Sequence, residues 1–192
     1  PDISFDVSTL ASNLSNGQIK DILHCNKIIS KANHNVCKLN YSKLKGEPKL
    51  VVYMDASYGN LQNGGSQGGY LIFLIGEDNC CNLLSWQSKQ LKRIARSSLT
   101  AETISMLDGV EAAIYLKELH KELYGKMLSI EVITDNQSFI NALKSSKYVK
   151  EKRLRIDIAA LKQYISNKEV TSVDWVKSSG QLSDILTKHG VN

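Results

Sequence analysis

Four acidic residues are spaced along this chain so that their carboxylates could meet. Asp55 and Asp135 each end a stretch rich in apolar and β-branched residues, which predicts a buried strand. Glu102 comes early in a predicted helix, and Asp184 lies in the predicted last helix. Active sites of α/β sheets lie at the carboxyl ends of strands, so Asp55 and Asp135 are candidates for catalysis. Taken alone, Asp55 is equally compatible with the start of a turn.

Carboxylates that approach one another at one edge of a sheet repel, and each raises the pKa of the others. Divalent cations between them remove this repulsion. Sites of oxygen ligands with no His or Cys nearby favour Mg²⁺ or Mn²⁺ over zinc. Two such ions, about 3.5–4 Å apart, are the arrangement used for in-line displacement at phosphorus. The four acids therefore indicate a metal-dependent site for phosphoryl chemistry.

The elements that would position these acids follow in a simple order. Three strand patterns joined by turns come first and predict an antiparallel meander. A helix, a strand, two helices, a strand and a helix follow, so that the predicted elements are 50–55, 70–75, 83–87, 98–123, 129–135, 137–143, 151–165, 170–176 and 181–188. The fold class is α/β, a mixed five-stranded sheet flanked by helices, with the three antiparallel strands first.

The long helix carries one of the four acids. Ser98 is its predicted N-cap, which places Glu102 in the first turn. A glutamate in that turn often only complements the helix dipole. The buried stripe of this helix is predicted to contain Ile104, Leu107, Val110 and Ile114.

Residues 1–46 differ from the rest of the chain. They are polar, their sequence favours helix, and they contain no group of candidate catalytic residues. Asn16 is a predicted N-cap for a helix to about residue 31, with Ile19, Ile22, Leu23 and Ile29 on one side. We therefore predict an attachment or linker at 1–46 and the main domain at 47–192. The start at Pro1, without an initiator Met, favours a piece of a longer chain.

Composition excludes several classes of protein. The chain has 192 residues, 42% of them apolar, and no apolar run of membrane-spanning length or signal-peptide pattern. The glycine-rich turn at 59–69 lacks the Gly-Lys-Ser/Thr of a phosphate-binding P-loop. Neither the adjacent pair Cys80 and Cys81 nor the group His24, Cys25, His34 and Cys37 has a common disulfide or zinc spacing. A soluble, intracellular protein with reduced thiols is expected.

Positive charge is concentrated in two runs on a chain of net charge +5. The first run contains no acid and comprises Lys89, Lys92, Arg93 and Arg96. The second contains only Glu151 as an acid and comprises Lys144, Lys147, Lys150, Lys152, Arg153 and Arg155. Such runs favour a polyanionic partner, although many are only solvated surface. We interpret Asp157, in the helix of the second run, as an intrahelical ion partner.

Five short motifs sharpen this interpretation. They are Tyr-Met-Asp-Ala-Ser-Tyr at 53–58, Leu-Ser-Trp-Gln-Ser-Lys at 84–89, Ser-Ser-Leu-Thr-Ala-Glu at 97–102, Thr-Asp-Asn-Gln-Ser at 134–138 and Gln-Leu-Ser-Asp-Ile-Leu-Thr-Lys at 181–188. In order and spacing, from about residue 48 to 188, they resemble the ribonuclease H domain of copia-class LTR-retrotransposon Pol polyproteins. Residues 1–46 more loosely resemble the tail of the connection region between the reverse-transcriptase polymerase domain and its ribonuclease H.

The resemblance implies a ribonuclease H-like fold and an endonuclease that hydrolyses the RNA strand of RNA–DNA hybrids during reverse transcription. It also implies four catalytic, metal-binding acids, matched here by Asp55, Glu102, Asp135 and Asp184. The cofactor would be two Mg²⁺ ions, with Mn²⁺ as a substitute. Asp55 would bridge both ions, Asp135 would serve the ion that activates water, and Glu102 and Asp184 would serve the other.

Further residues would contact the hybrid. The expected substrate-binding set is Ser57, Lys89, Lys92, Arg93, Arg96, Asn136, Lys152 and Arg153. The basic members would neutralise phosphates irrespective of base sequence. Asn136 could donate to a ribose 2′-OH, the group that distinguishes RNA from DNA, or could simply cap a helix.

The implied partners are the RNA–DNA hybrid and the polymerase domain of the same polyprotein, with no membrane. The expected location is intracellular, in cytoplasmic virus-like particles and the nucleus. Many relatives carry a histidine in the loop before the last aspartate that assists product departure. Here that loop is Lys-Ser-Ser-Gly at 177–180, and His189 comes after Asp184. The copia class generally lacks this histidine, so its absence bears on the turnover rate rather than on the assignment.

Two alternatives remain at this stage. One is a catalytically silent, domesticated module with the same fold that binds nucleic acid or a protein, because fold does not fix function. The four surviving acids argue against it. The other is a nuclease of the same superfold that acts on DNA, such as an integrase or a junction resolvase. Its usual set of three acids is placed differently, and the motif at 181–188 argues against it.

Overall fold

A computed structural model of the chain describes residues 1–12, 14–36, 38–145 and 149–188. Cys37, Lys147 and His189, which the sequence analysis considered, lie outside these ranges. The helices and strands are α1 (Ser4–Ser12), α2 (Ile19–His34), β1 (Lys49–Ser57), β2 (Gln67–Ile75), β3 (Cys81–Gln90), α3 (Ser98–Tyr124), β4 (Ser129–Thr134), α4 (Gln137–Lys144), α5 (Lys152–Ser166) and β5 (Ser172–Trp175). Short 3₁₀ helices lie at Leu14–Asn16, Ser178–Gly180 and Leu182–Leu186.

The five strands form one mixed sheet in the order β3-β2-β1-β4-β5. β1 and β2 pair antiparallel, as do β2 and β3, whereas β4 is parallel to β1 and β5 is parallel to β4. The predicted mixed five-stranded sheet with three antiparallel strands first is confirmed. Because β1, β4 and β5 run in the same direction, the residues at their carboxyl ends share one edge of the sheet.

The main core lies between one face of the sheet and α3. Met54 of β1 and Val110 of α3 are fully or almost fully buried there, together with Phe139 of α4. Gly109 lets α3 approach the sheet, because a Cβ at this position would lie 2.6 Å from Sδ of Met54. This close packing fixes α3 relative to β1, and thereby fixes the residues that follow its N-terminus.

The N-terminal segment packs on the domain. Phe5 of α1 is buried, and Oγ of Ser4 accepts a hydrogen bond of 3.1 Å from the indole of Trp86 in β3. Further along the chain, the hydroxyl of Tyr41 donates to the carbonyl of Leu83 at 2.9 Å. Two parts of this segment, α1 and the stretch around Tyr41, therefore contact β3, the outer strand of the meander, while α2 packs on α1. The assignment of this segment to a connection region stays a prediction.

Helix starts were the weakest part of the sequence-based prediction. α2 begins at Ile19 with Gln18 as its N-cap, because Asn16 lies in a separate 3₁₀ turn. α3 is capped by Ser97 rather than Ser98, since Oγ of Ser97 accepts a hydrogen bond from the backbone N–H of Thr100 at 3.1 Å. Both predicted N-caps were therefore wrong. The first turn of α3 contains no acid, and Glu102 lies one residue further into the helix than predicted.

Two further differences concern the ends of the chain. α1 was not predicted, and the predicted last helix is only the 3₁₀ helix Leu182–Leu186. The apolar side of α2 faces solvent, with Ile19 78% and Ile22 63% exposed, while Ile28 supplies its buried contact. Over the described residues, no helix is both long and apolar enough to cross a membrane.

Candidate active site

Asp55 lies near the carboxyl end of the central strand β1 and is 2% exposed. Its Oδ2 accepts a short hydrogen bond from the hydroxyl of Thr187. Burial raises the pKa of Asp55 above its ordinary value. The hydrogen bond from Thr187 and the charge of Lys188 oppose this rise, whereas the charges of Asp184 and Asp135 add to it. Asp55 is therefore a buried carboxyl that requires a nearby positive charge to ionise at low cost.

Glu102 reaches the same edge from α3 and is 8% exposed. Burial raises its pKa well above 4.5, and the charges of Asp55 and Asp135 raise it further. A hydrogen bond from the side chain of Asn136 and the charge of Lys188 act in the opposite direction. The helix start is fixed by the Ser97 cap and by the packing of α3 on the sheet, so this carboxyl is rigidly placed.

Asp135 follows β4 directly and is held by residues from the β5 end of the sheet. Its Oδ2 accepts a hydrogen bond of 2.7 Å from the hydroxyl of Ser178. Its backbone carbonyl accepts one of 2.9 Å from the indole N–H of Trp175. These two contacts orient the carboxyl, and sequence reasoning noted Ser178 only as part of a loop without histidine.

These three acids converge, because one carboxylate oxygen from each of Asp55, Glu102 and Asp135 lies within 4.8 Å of the other two. Three negative charges at this separation, two of them buried, are unfavourable without compensating cations or protons. The donor set consists only of oxygen, which suits Mg²⁺ or Mn²⁺. The cluster therefore has the composition and spacing of a site for a hard divalent cation.

Asp184 stands outside this group of three. It lies in the 3₁₀ helix Leu182–Leu186, which rests on the β1–β2 part of the sheet. Gly69, the register partner of Asp55, makes this possible, since a Cβ there would lie 2.6 Å from Cβ of Leu186. Nε2 of Gln181 also donates to the carbonyl of Met54 at 2.9 Å and ties the segment to β1.

Lys188 connects the fourth acid to the first. Its Nζ lies 2.7 Å from Oδ1 of Asp184 and 3.5 Å from Oδ2 of Asp55. Burial acts to lower the pKa of Lys188, but its hydrogen bond to Asp184 and the charges of Asp55, Asp184 and Asp135 raise it overall. Neither Thr187 nor Lys188 was predicted as a site residue from the sequence. Their signal was present, because they end the motif at 181–188.

The predicted polar contacts to substrate have the following positions. Asn136 caps α4, with its Oδ1 accepting the N–H of Phe139 at 2.9 Å, so the helix-capping alternative holds. Ser57 lies two residues beyond Asp55 on the same face of β1 and is 3% exposed. Within the described residues, its hydroxyl has no hydrogen-bond partner. A substrate role for Asn136 or Ser57 stays a prediction.

Two of the predicted basic residues form ion pairs with acids of the chain itself. Lys89 pairs with Asp108 at 3.0 Å, and Arg93 forms two hydrogen bonds to the carboxylate of Asp157, at 3.1 and 2.7 Å. Asp157 was predicted to pair within its own helix, and that prediction was wrong. The remaining members are exposed and comprise Lys92, Arg96, Lys152 and Arg153.

A residue of the first basic run contacts the helix that carries part of the second. The Arg93–Asp157 pair joins the loop after β3 to α5. At the start of α5, Glu151 accepts a hydrogen bond of 3.2 Å from Thr100, two residues before Glu102. The start of α5, with its basic residues, therefore packs against the first turn of α3.

No protein-family model matches the chain. It is 30% identical over 144 residues to the "Retrovirus-related Pol polyprotein from transposon TNT 1-94" of Nicotiana tabacum. The aligned region covers 74% of this chain and 10% of the relative. It is also 26% identical over 148 residues to the "Transposon Ty1-NL2 Gag-Pol polyprotein" of Saccharomyces cerevisiae. Here the aligned region covers 75% of this chain and 8% of the relative. The chain is a homologue of retrotransposon Pol polyproteins. The predicted relationship is confirmed, and the chain spans about a tenth of the length of these curated relatives.

Solved structures similar to this Pol homologue are ribonucleases H and a viral reverse transcriptase. LC11-RNase H1, solved with an RNA/DNA hybrid, has a TM-score of 0.53 and 18% identity over 72% of this chain and 94% of its own. RNase H1 from the archaeon Halobacterium salinarum NRC-1 has a TM-score of 0.51 and 18% identity over 72% and 94%. The foamy viral protease-reverse transcriptase, solved with an RNA/DNA hybrid, has a TM-score of 0.56 and 15% identity over 100% of this chain and 24% of its own. The Pol homologue therefore has the ribonuclease H fold.

Proposed function

We propose that this Pol homologue is a metal-dependent endonuclease that hydrolyses the RNA strand of RNA–DNA hybrids during reverse transcription. The observation that carries the proposal is the meeting of the Asp55, Glu102 and Asp135 carboxylates within 4.8 Å on a ribonuclease H fold. A protein that only bound nucleic acid would have no physical reason to bury two of these acids side by side. The relationship to Pol polyproteins supports the same reaction.

The residues present fit the proposed pair of Mg²⁺ ions, for which Mn²⁺ would substitute. All donors are carboxylate oxygens, and the raised pKa values of Asp55 and Glu102 arise from burial and mutual repulsion that cations relieve. Asp55, Glu102 and Asp135 would hold metal, with Asp184 as the fourth ligand. When bound, the ions would supply an activated water and neutralise the charge that develops on the cleaved phosphate.

The residues of the chain itself have distinct tasks in this proposal. Asp55 is central, because its carboxylate approaches those of Glu102 and Asp135 within 4.8 Å and also lies 3.5 Å from Nζ of Lys188. Ser178 fixes the orientation of Asp135 through its hydrogen bond of 2.7 Å to Oδ2. No side chain is needed as a nucleophile, since water attacks the phosphodiester.

Substrate binding is assigned to the basic surface formed by the loop after β3 and the start of α5, which the Arg93–Asp157 pair joins. Its exposed lysines and arginines would neutralise the phosphates of the hybrid, which gives binding that depends on salt but not on sequence. The relatives solved with RNA/DNA hybrids support this substrate class. The polymerase region of the same polyprotein is the proposed protein partner.

Cleavage of labelled duplexes tests the proposed function. A hybrid labelled on its RNA strand is incubated with the protein in Mg²⁺, in Mn²⁺ and in EDTA, beside the same hybrid labelled on its DNA strand and matched RNA–RNA and DNA–DNA duplexes. The expected result is cutting of the RNA strand of the hybrid only, in either metal and not in EDTA. Tight binding of the hybrid without cutting, or cutting of DNA, would contradict the proposal.

A further inference from the structure

A positively charged side chain of the chain itself stands between two of the proposed metal ligands. Nζ of Lys188 lies 2.7 Å from Oδ1 of Asp184 and 3.5 Å from Oδ2 of Asp55. The Asp55 carboxylate is almost fully buried, and that of Asp184 is 17% exposed. Lys188 thus compensates the charge of two acids at an edge of the sheet where cations are expected.

The local backbone keeps Lys188 beside these acids. Its backbone N–H donates to the carbonyl of Asp184 at 3.0 Å, closing the turn after the 3₁₀ helix. The neighbouring Thr187 donates its hydroxyl hydrogen to Oδ2 of Asp55, the same oxygen that faces the ammonium group. The lysine side chain is 38% exposed and has a flexible four-carbon stem, so it can leave without unfolding the turn.

We propose that Lys188 is a tethered cation that neutralises Asp55 and Asp184 in the metal-free protein and gives way when a divalent ion binds between them. This inference rests on the proposed function, because it concerns the metal ligands of that site. An ammonium group and a metal ion need the same carboxylate lone pairs, so they compete for Asp55 and Asp184. Asp135 and Glu102 make no direct ion pair with Lys188 among the described residues, so the competition concerns the Asp184 side of the site.

The competition has two measurable consequences. Removal of the lysine charge leaves Asp55 and Asp184 without a counter-ion, so the metal-free protein loses stability. The same change frees the carboxylates, so metal binds more tightly on the Asp184 side, by about tenfold for the loss of one partly buried charge pair. At saturating metal, the stability difference between variant and wild type shrinks, because the ion replaces the lysine.

The substitution Lys188→Met tests the inference by two measurements on the full chain. Calorimetry measures the binding of Mn²⁺, and thermal unfolding gives the melting temperature in EDTA and in excess Mn²⁺. Lys49→Met is the matched control, because Lys49 pairs with Glu131 at the same 2.7 Å and is similarly exposed, at 41%, at the opposite end of β1. Lys188→Gln and Lys188→Arg are measured beside Lys188→Met, so that the test does not depend on the folding of a single variant.

The expected result is tighter Mn²⁺ binding for Lys188→Met and Lys188→Gln, with near wild-type binding for Lys188→Arg and Lys49→Met. Unchanged or weaker binding for the two neutral variants, with wild type still binding metal, would overturn the role of Lys188 and leave the proposed function standing. Failure of wild type to bind Mn²⁺ at all would overturn both.

Discussion

Arg93 holds the carboxylate of Asp157 with both terminal nitrogens of its guanidinium group, at 3.1 and 2.7 Å. The pair crosses from the loop after β3 to α5 and joins the first basic run to the helix that carries Lys152 and Arg153. Asp157 is 8% exposed, so Arg93 supplies hydrogen bonds that water cannot readily provide.

Arg93→Ala is expected to lower the free energy of unfolding by about 1–3 kcal/mol, because it leaves a buried carboxylate without its hydrogen-bond donor. Lys92→Ala is the matched control, being an exposed basic residue next in sequence, and should change stability by less than about 0.5 kcal/mol. Urea denaturation followed by circular dichroism measures both. Equal effects of the two substitutions would show that the pair contributes nothing to stability.

Ser178→Ala is expected to reduce kcat for hybrid cleavage by about tenfold and to leave KM close to that of wild type. The reason is that Oγ of Ser178 orients Oδ2 of Asp135 but lies outside the basic surface that binds the hybrid. Ser179→Ala changes the adjacent serine of the same 3₁₀ turn and should retain the wild-type kcat. A rise in KM alone for Ser178→Ala would be inconsistent with a positioning role.

Glu102→Gln is expected to stabilise the metal-free protein at pH 7 by about 1–3 kcal/mol, since it removes a buried, repelled charge. The pKa of Glu102 is raised by burial, so its protonated form contributes stability that is fully present below the ordinary value of 4.5. That contribution is lost as pH rises through the raised pKa of the folded protein. Melting temperatures in EDTA between pH 4 and 8 should therefore fall more steeply for wild type than for Glu102→Gln.

Glu111→Gln provides the control for this measurement, because Glu111 is an exposed acid on the same helix. Its melting temperatures should follow those of wild type across the pH range. Parallel curves for wild type and Glu102→Gln would mean that Glu102 does not carry the buried charge.

Replacement of Lys152 and Arg153 together by Ala is expected to weaken hybrid binding and to flatten its salt dependence. For every phosphate that the protein no longer neutralises, the slope of log K against log salt should fall by about one. The control is the replacement by Ala of both Lys121, in the last turn of α3, and Lys126, two residues beyond the helix. Fluorescence anisotropy at several salt concentrations gives the slopes, and identical slopes for the two double variants would remove the start of α5 from the interface.

The sequence predicted the parts of the site that depend on periodic patterns. Asp55 lies near the end of an apolar run and Asp135 directly follows an alternating strand pattern, both visible in the sequence, and the parallel pairing of β1 and β4 then places the two acids together. α1 was not predicted because Ser4–Ser12 is short and weakly amphipathic. The helix packs on β3, and Phe5 is its buried residue. Such a helix depends on tertiary packing rather than on its own sequence.

Contacts between distant segments were the part that could not be predicted. The pairing of Asp157 with Arg93 spans 64 residues, and no spacing rule distinguishes it from a pair within one helix. Lys188 likewise has an obvious partner four residues earlier, in Asp184, but its approach to Asp55 exists only in the folded chain. The resemblance identified the four acids, while the residues that support them are brought together only by folding.

Single-turnover cleavage of an RNA–DNA hybrid, compared for wild type, Asp135→Asn and Asp174→Asn, tests whether the acidic cluster is the catalytic site. Asp174 is the matched control, because it is an exposed aspartate on β5, the strand next to β4. Asp135→Asn is expected to cut at least about a hundredfold more slowly while still binding the hybrid, and Asp174→Asn is expected to cut like wild type. Cleavage by Asp135→Asn at the wild-type rate would contradict the assignment of the acidic cluster as the catalytic site.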